Sequence, residues 1–251
     1  AASLGNERIA DLHWNYALAL LTLGQFPDGW KEYEWRWRRT KADAPRHPLP
    51  VADIATKTSQ RLVVWGEQGV GDEILYAGLI QNAVADGHHV TLECDPRLEK
   101  LFRRSMRGIE IRPRGAVSTL SDFDLRIPVA SLGRRYRASF GDFPRRSHYL
   151  VPDEVARNRY RGRLRSESDA PVIGISWRSR NREYGAFKSS ELTAWAPLFT
   201  AGDFHWVNLQ YGDTDTDVEQ LERSVGVRLT EMEGLDRFND IDGLAALIGA
   251  C

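Results

Sequence analysis

Apolar residues near the start of the chain recur at three- and four-residue intervals, which is the period of an α-helix. The segment from Ile9 to Leu23 has this spacing and stops at Gly24, which predicts an amphipathic helix. Its apolar stripe consists of Leu12, Tyr16, Ala19, Leu20 and Leu23. A second helix is predicted from Phe26 to Arg38, with a stripe formed by Phe26, Trp30, Tyr33 and Trp37. The two helices predict a helical hairpin over residues 1–40.

Strand-length apolar segments alternate with helical segments further along the chain. Residues 41–54 contain Pro45, Pro48 and Pro50 with little periodicity, so we predict a linker there. Beyond it, strands are predicted at 62–65, 90–93, 109–111 and 124–127, and helices at 72–85 and 96–104. Because alternating strands and helices form a parallel sheet with covered faces, we predict a Rossmann-like domain over residues 55–150.

The same alternation begins again after a basic connecting helix in residues 151–170. Strands are predicted at 172–177, 204–209 and 227–229, and helices at 190–200, 215–225 and 241–248. This pattern predicts a second Rossmann-like domain over residues 171–251, which lacks roughly a hundred residues of an ordinary domain. The predicted fold class is therefore α/β, with two Rossmann-like domains, the second truncated, behind a helical hairpin. We expect the chain to be a fragment.

The composition excludes several classes of protein. The longest apolar stretch, residues 16–23, falls far short of the roughly 20 residues that span a bilayer, so no membrane span is expected. The two cysteines, Cys94 and Cys251, exclude a disulfide framework and favour a reducing compartment, by default the cytoplasm. The six histidines show no metal-ligand spacing, so we expect no metal and no resident cofactor.

Charge is distributed unevenly along the chain. Residues 97–165 hold 17 Arg and one Lys against seven acids, whereas residues 203–242 hold 11 acids against three Arg. A basic surface of this kind would attract acidic or phosphorylated ligands, although a simple solvated surface is an equal alternative. No nucleic-acid recognition motif accompanies the arginines, so we expect no nucleic-acid partner.

A glycine-rich segment follows the first predicted strand and holds the most informative candidate chemistry. It reads Gly-Glu-Gln-Gly-Val-Gly-Asp-Glu-Ile from Gly66 onward. Glycines here allow a tight turn and a close approach to a ligand, but the spacing matches neither a dinucleotide fingerprint nor a P-loop. Asp72 is either a capping or first-turn carboxylate or a general base, and Glu67 and Glu73 are its rivals for the second role.

Several segments resemble bacterial tetratricopeptide-repeat proteins that carry a heptosyltransferase-like glycosyltransferase domain. Residues 66–77, Gly-Glu-Gln-Gly-Val-Gly-Asp-Glu-Ile-Leu-Tyr-Ala, resemble the signature of that family, and residues 30–37 resemble the end of its last repeat. Residues 173–177, 188–189 and 208–212 resemble successive landmarks of the second domain. The resemblance covers most of the chain, and its landmarks occur in the family's order.

The resemblance implies a GT-B glycosyltransferase, in which the first domain takes the acceptor and the second takes a nucleotide-sugar donor. It assigns the catalytic base to Asp72 and requires no metal. The acceptor-side loop would comprise Glu67, Gln68, Gly69, Gly71 and Glu73. The donor-binding residues would be Gly174, Ser176, Trp177, Arg178, Lys188, Ser189 and Gln210, with Arg180 and Arg182 as further candidates. A fixed cation such as Lys188 would stabilise the departing diphosphate, because that group gains charge in the transition state.

Two departures from the family limit what it implies. The sequence after Lys188 is Ser-Ser-Glu rather than the Lys-x-Trp-Pro pattern of heptosyltransferases, so the donor sugar stays open. The family also continues beyond residues 240–248 into a segment that completes the donor site, so this chain by itself is expected to have little or no activity. The acceptor also stays open between a protein, a lipid-linked saccharide and a flagellar component.

Two other functions are consistent with the sequence. In the first, the tetratricopeptide-like hairpin binds a protein partner and the Rossmann-like part is a non-catalytic scaffold. Small residues such as Gly174 and Ser176 would then serve packing alone. In the second, the chain is a nucleotide-dependent oxidoreductase, which the missing dinucleotide fingerprint disfavours.

Overall fold

The computed structural model describes residues 2–39, 49–51, 59–117, 120–145, 148–179, 181 and 185–251. The chain divides into two compact units, Ala1–Leu150 and Val151–Cys251. Most of the predicted linker, together with Arg180 and Arg182, lies outside the described residues.

The first unit begins with the helical hairpin. Helix α1 spans Ala2–Thr22, helix α2 spans Phe26–Tyr33, and a 3-10 helix follows at Glu34–Arg38. Gly24 has a φ of +75°, so it adopts the left-handed conformation that the turn between the helices requires. The second helix was predicted to run to Arg38, but its α-helical part ends at Tyr33 and the remainder is the 3-10 helix. Two side chains of the 3-10 helix contact the rest of the unit. Arg36 bonds to buried Glu67, and the ring of Trp37 packs on that of Trp65 at a centroid separation of 5.0 Å.

The predicted apolar stripe of α1 is not the buried one. Leu12, Tyr16 and Leu23 are 68%, 57% and 71% exposed, Ala19 is also exposed, and of the predicted set only Leu20 is buried. The buried face instead consists of Ala10, Trp14, Ala17 and Leu20. Helix α1 therefore has two apolar stripes, one exposed and one buried. The small alanines beside Trp14 allow α2 to approach closely, and for that reason their stripe is the one that packs.

A four-stranded parallel sheet forms the centre of the first unit, as predicted. Its strands are β1 (Arg61–Trp65), β2 (His89–Cys94), β3 (Glu110–Pro113) and β4 (Leu125–Pro128). Their spatial order is β3-β2-β1-β4, with Val63 paired to Thr91 on one side and to Arg126 on the other. Because β1 is central and buried, the segment that follows it begins at the middle of the carboxyl edge of the sheet.

Helices cover this sheet, but the long helix predicted over 72–85 is divided. The helices are α3 (Val70–Ala77), α4 (Ile80–Ala85), α5 (Glu99–Ser105) and α6 (Gly133–Tyr136). The break between α3 and α4 falls at Gly78 and Leu79. The Tyr149 hydroxyl donates a hydrogen bond to the Ile74 carbonyl, which would accept the Gly78 amide in an unbroken helix. A side chain inserted into the backbone ladder is an established cause of such breaks.

The second unit contains a two-stranded parallel sheet and four helices among its described residues. They are α7 (Glu154–Glu167), β5 (Val172–Ile175), α8 (Ala196–Phe199), β6 (His205–Asn208), α9 (Asp215–Val225) and α10 (Ile241–Ile248). The predicted connecting helix, α7, buries Tyr160 and Leu164 against Ala246 and Leu247 of α10. It is therefore an integral part of this unit.

Two predicted elements of the second unit were wrong. The helix expected over 190–200 is a 3-10 turn, Leu192–Trp195, followed by the short α8, whose first turn contains Pro197. Proline lacks an amide donor and fixes φ, so a new helix begins there. The strand expected at 227–229 does not form in the described structure, where Thr230 makes a single bridge to Val207. The predicted core positions Trp177 and Trp206 are both buried.

We predict that His88 makes the stability of the first unit depend on pH. Its imidazole is buried, neither ring nitrogen has a hydrogen-bond partner in the described structure, and burial lowers its pKa from the ordinary 6.5. The unfolded chain therefore binds a proton more readily than the folded chain does. The stability that the neutral His88 contributes should be fully present above the pKa of His88 in the unfolded chain, about 6.5. It should be lost as the pH falls from that value through the lower pKa of His88 in the folded chain.

Urea unfolding between pH 7.5 and 5 tests this prediction. His88→Leu should flatten the pH dependence of the unfolding midpoint, whereas the matched variant His89→Leu should leave it unchanged because His89 is exposed. Equal slopes in the wild type and His88→Leu would contradict the prediction.

Candidate functional site

The glycine-rich turn leads directly from β1 into α3. Gly66 is buried, and a Cβ atom there would lie 2.2 Å from the carboxyl carbon of Glu73, so only glycine leaves room for that carboxylate. Asp72 lies in the first turn of α3 and accepts the backbone N–H of Gly69 at 3.2 Å. A carboxylate at this position also interacts favourably with the positive end of the helix dipole. Gly71 is exposed, with no atom near the position of an added Cβ.

Glu67 is completely buried and is part of an ion pair. Its Oε2 accepts from Nε of Arg36 at 2.7 Å, and its Oε1 accepts from Nη2 at 2.9 Å. The backbone N–H of Ala130 donates to the same Oε1 at 3.0 Å. Burial by itself would lower the pKa of Arg36, but the charge and hydrogen bonds of Glu67 outweigh it and raise that pKa. Arg36 is therefore charged, and its contact with Glu67 holds the turn to the hairpin.

Glu73 is also buried, on the opposite side of the turn. It accepts the N–H of Asp95 at 2.8 Å and Nη2 of Arg114 at 2.6 Å. Burial raises its pKa, against the opposing effects of these two contacts. Asp72 differs from both glutamates because it is only partly buried and, within the described structure, accepts one hydrogen bond. Of the three carboxylates, Asp72 is the one accessible for chemistry.

Gln68 connects the same turn to two tyrosines. Its side-chain amide donates to the Tyr33 hydroxyl at 3.1 Å, and the Tyr33 and Tyr76 hydroxyls are 3.0 Å apart. Burial raises the pKa of both phenols, so they are neutral hydrogen-bonding groups. Gln68 has a φ of +62° and is the one non-glycine residue of the described structure in the left-handed region. Non-glycine residues seldom adopt this conformation.

In the second unit, Gln210 brings three of the predicted donor-binding residues together. Its side chain is fully buried, and its Oε1 accepts from Ser176 Oγ at 2.9 Å, from Trp177 N at 3.0 Å and from Arg178 N at 2.9 Å. One amide oxygen therefore fixes the backbone at the carboxyl end of β5. Ligands of parallel α/β sheets bind at such carboxyl ends.

Lys188 and Ser189 lie on a loop that is tied to the same strand end. Ser189 Oγ accepts the N–H of Ser179 at 2.9 Å and donates to the Gly185 carbonyl at 2.6 Å. Lys188 is exposed, and within the described ranges it forms no ion pair. The structure thus places an accessible cation near a fixed backbone turn.

The side chain of Arg178 and the position of Gly174 are also involved in contacts within the second unit. Arg178 pairs with Asp217 at 2.9 Å and also donates to the Asp213 carbonyl. Gly174 leaves space for its neighbour, because an added Cβ would lie 2.4 Å from Cδ1 of Leu209. A larger residue at position 174 would have to displace the Leu209 side chain, so packing favours glycine there.

Sequence reasoning missed the residues that support the turn. Arg36 interrupts the aromatic run Trp35-Arg36-Trp37, and a charged residue inside an apolar segment is the signal that could have identified it. Ser131 accepts from Arg36 at 2.8 Å, and Arg114 pairs with Glu73. The hairpin, α3 and the segments around Phe143 and Tyr149 also line a largely apolar, partly open pocket of about 370 Å³, whose walls include Trp30 and Tyr76.

Among the described residues, no group of three or more His, Cys, Asp or Glu side chains is arranged to hold a metal ion. No described helix combines the length and the apolar character needed to cross a membrane.

Comparisons with known proteins identify a fold. No model of a protein family matches the chain. Protein FlbA of Caulobacter vibrioides is 28% identical over 269 residues, which cover 97% of this chain and 44% of that protein. The chain therefore spans less than half the length of this curated relative. Among solved structures, the E. coli ADP-heptose lps heptosyltransferase II matches with a TM-score of 0.51 at 12% identity, covering 76% of this chain and 77% of that one.

A second solved structure, the iron-containing dodecameric glycosyltransferase TibC of enterotoxigenic E. coli, matches with a TM-score of 0.40 at 12% identity. It covers 68% of this chain and 46% of that one. The similarity to the heptosyltransferase shows that the chain has an α/β fold with parallel sheets that resembles a GT-B glycosyltransferase.

Proposed function

We propose that the protein is a cytoplasmic bacterial glycosyltransferase that transfers a sugar from a nucleotide-sugar donor to an acceptor hydroxyl. The observation that carries the proposal is the position of Asp72. It is the accessible carboxylate of a turn at the carboxyl edge of the central strand, and the two glutamates beside it are buried in ion pairs. The GT-B-like fold supports this assignment, since sites in such folds lie at the carboxyl ends of the strands.

Asp72 would act as the general base in a metal-independent displacement. Its carboxylate takes the proton of the acceptor hydroxyl as the acceptor oxygen bonds to the anomeric carbon of the donor sugar. The bond between that carbon and the diphosphate oxygen breaks, and the nucleoside diphosphate leaves with the electron pair. The negative charge that moves onto the diphosphate then needs a cation, a role for which Lys188 is the accessible side chain.

The residues around Gln210 would bind the nucleotide-sugar donor. Its oxygen holds the segment from Ser176 to Arg178 in one conformation, and Ser189 holds the neighbouring loop. A fixed backbone with an exposed lysine beside it is suited to a diphosphate.

The proposal is tested with a panel of nucleotide sugars on the full-length protein. We expect calorimetry to show binding of one UDP-, GDP- or ADP-sugar, and Lys188→Ala to weaken that binding at least tenfold. Lys100→Ala is the matched control, because it removes a lysine from the first unit. A full-length protein that binds no nucleotide sugar would overturn the proposal.

A protein-interaction module is the second candidate function, and the surface of α1 favours it. Ile9, Leu12, Tyr16 and Leu23 form an exposed apolar stripe, and exposed stripes of this kind commonly mark protein contacts. This function predicts binding of a protein partner that survives Asp72→Ala and is abolished by Leu12→Glu. If Leu12→Glu has no effect on any such binding, the stripe is not the contact.

A further inference from the structure

The helical hairpin touches the turn that carries Asp72 at two consecutive residues. Arg36 of the hairpin holds the carboxylate of Glu67 with two hydrogen bonds, and Tyr33 of the hairpin accepts the side-chain amide of Gln68. We call these two contacts, together with the bond between the hydroxyls of Tyr33 and Tyr76, the hairpin clamp. All of them lie inside the first unit.

The Arg36 part of the clamp extends to the segment that follows β4. Nη2 of Arg36 also donates to Ser131 Oγ at 2.8 Å, and Ser131 in turn donates to Glu34 at 2.8 Å. Glu67 accepts the Ala130 amide as well. One guanidinium therefore fixes the turn after β1 relative to the segment after β4. Bidentate arginine–carboxylate pairs set orientation as well as distance, so this contact defines the direction in which the turn leaves the strand.

The Tyr33 part of the clamp acts closer to Asp72. Gln68 lies in the left-handed region, and its side chain is held by Tyr33. The next residue, Gly69, supplies the N–H that Asp72 accepts. Tyr76, the second partner of Tyr33, lies one helical turn beyond Asp72 in α3. Tyr33 thus contacts the chain on both sides of Asp72.

We propose that the hairpin positions the carboxylate of Asp72, with Tyr33 and Arg36 as positioning residues that act through Gln68 and Glu67. This inference rests on the proposed function, in which Asp72 is the base. A general base must stay within hydrogen-bond reach of the proton that it removes, and small displacements from that geometry reduce rates strongly. The hairpin is accordingly part of the catalytic unit, in addition to any contact that it makes with a partner.

The test uses two mild variants that preserve folding. Tyr33→Phe keeps the ring in its packing site and removes only the hydroxyl. Gln68→Gly removes the link and places glycine where φ is positive, a conformation that glycine adopts without strain. Tyr136→Phe is the matched control, because its hydroxyl bonds to Asp86 at 3.1 Å, away from the turn.

Two measurements on the full-length protein are compared. Amide hydrogen exchange over residues 66–73 should become roughly tenfold faster in Tyr33→Phe and Gln68→Gly, because the turn loses its tether, and should not change in Tyr136→Phe. With the nucleotide sugar that the panel identifies, kcat should fall roughly 10- to 100-fold while the KM for the donor stays constant. The double variant should be no slower than the slower single variant, since the contact that Gln68→Gly removes is one of the two that Tyr33→Phe removes.

The outcomes separate this inference from the proposed function. Faster exchange with unchanged kcat would show that the clamp holds the turn without positioning the base, and unchanged exchange would show that there is no clamp. If the wild-type protein turns over no nucleotide sugar, the proposed function fails, and positioning of a catalytic base fails with it. The exchange measurement would still decide whether the hairpin holds the turn.

Discussion

Replacing Arg36 with methionine should destabilise the first unit by about 3–5 kcal/mol, which is the usual cost of leaving one member of a buried ion pair without its partner. Glu67 is completely buried and would lose both guanidinium hydrogen bonds, while the Ala130 amide would be its remaining donor. Ser131 would lose a donor as well. Methionine fills much of the volume of the arginine stem, so the loss would reflect the charge and the hydrogen bonds rather than a large cavity.

Urea unfolding at pH 7.5 measures this effect, with two comparison variants. Arg103→Met removes an exposed partner of Glu99 and should change the unfolding free energy by roughly 0–1 kcal/mol. The double variant Arg36→Met/Glu67→Leu removes both buried charges and should recover most of the lost stability. If the double variant is as unstable as Arg36→Met, the unpaired carboxylate is not the cause, and our account of this contact is incorrect.

Asp72→Asn should lower the rate of sugar transfer by roughly 10²–10⁴-fold, the range expected when a general base is removed. Asparagine keeps the size of the side chain, and its carbonyl oxygen can still accept the Gly69 amide. It cannot take up a proton at neutral pH. Donor binding should therefore be unchanged while kcat falls, because the residues proposed to bind the donor belong to the second unit.

Transfer and donor binding are measured on the full-length protein with the nucleotide sugar that the panel identifies. Asp142→Asn is a closely matched control: Asp142 also lies in the first turn of a helical segment and accepts the amide of the residue three positions earlier, Ser139, at 2.7 Å. Full transfer activity in Asp72→Asn would rule out the base assignment. A loss of donor binding in the same variant would indicate a structural role instead.

Some elements were predictable because their signals are local. The strands of the first sheet begin and end within two residues of the predicted bounds, and α9 and α10 match their predicted ranges. Short β-branched or aliphatic runs between turn residues fix such strands through their own burial. The parallel arrangement of the strands was also predictable, because helical segments separate these strands along the chain.

Other elements were not predictable because distant residues decide them. The break between α3 and α4 depends on Tyr149, which lies 75 positions from its partner Ile74. The buried face of α1 depends on which of two apolar stripes meets α2, and periodicity does not rank two stripes of similar hydrophobicity.

The candidate site shows the same division. The sequence by itself determined that glycines and three carboxylates lie where the first strand passes into its helix, because strand, turn and helix are local patterns. Only the tertiary structure decided that Glu67 and Glu73 are buried in ion pairs while Asp72 is accessible, because their partners, Arg36 and Arg114, lie 31 and 41 positions away in the chain. Burial and charge pairing depend on which distant segments pack together, and a local sequence pattern does not contain that information.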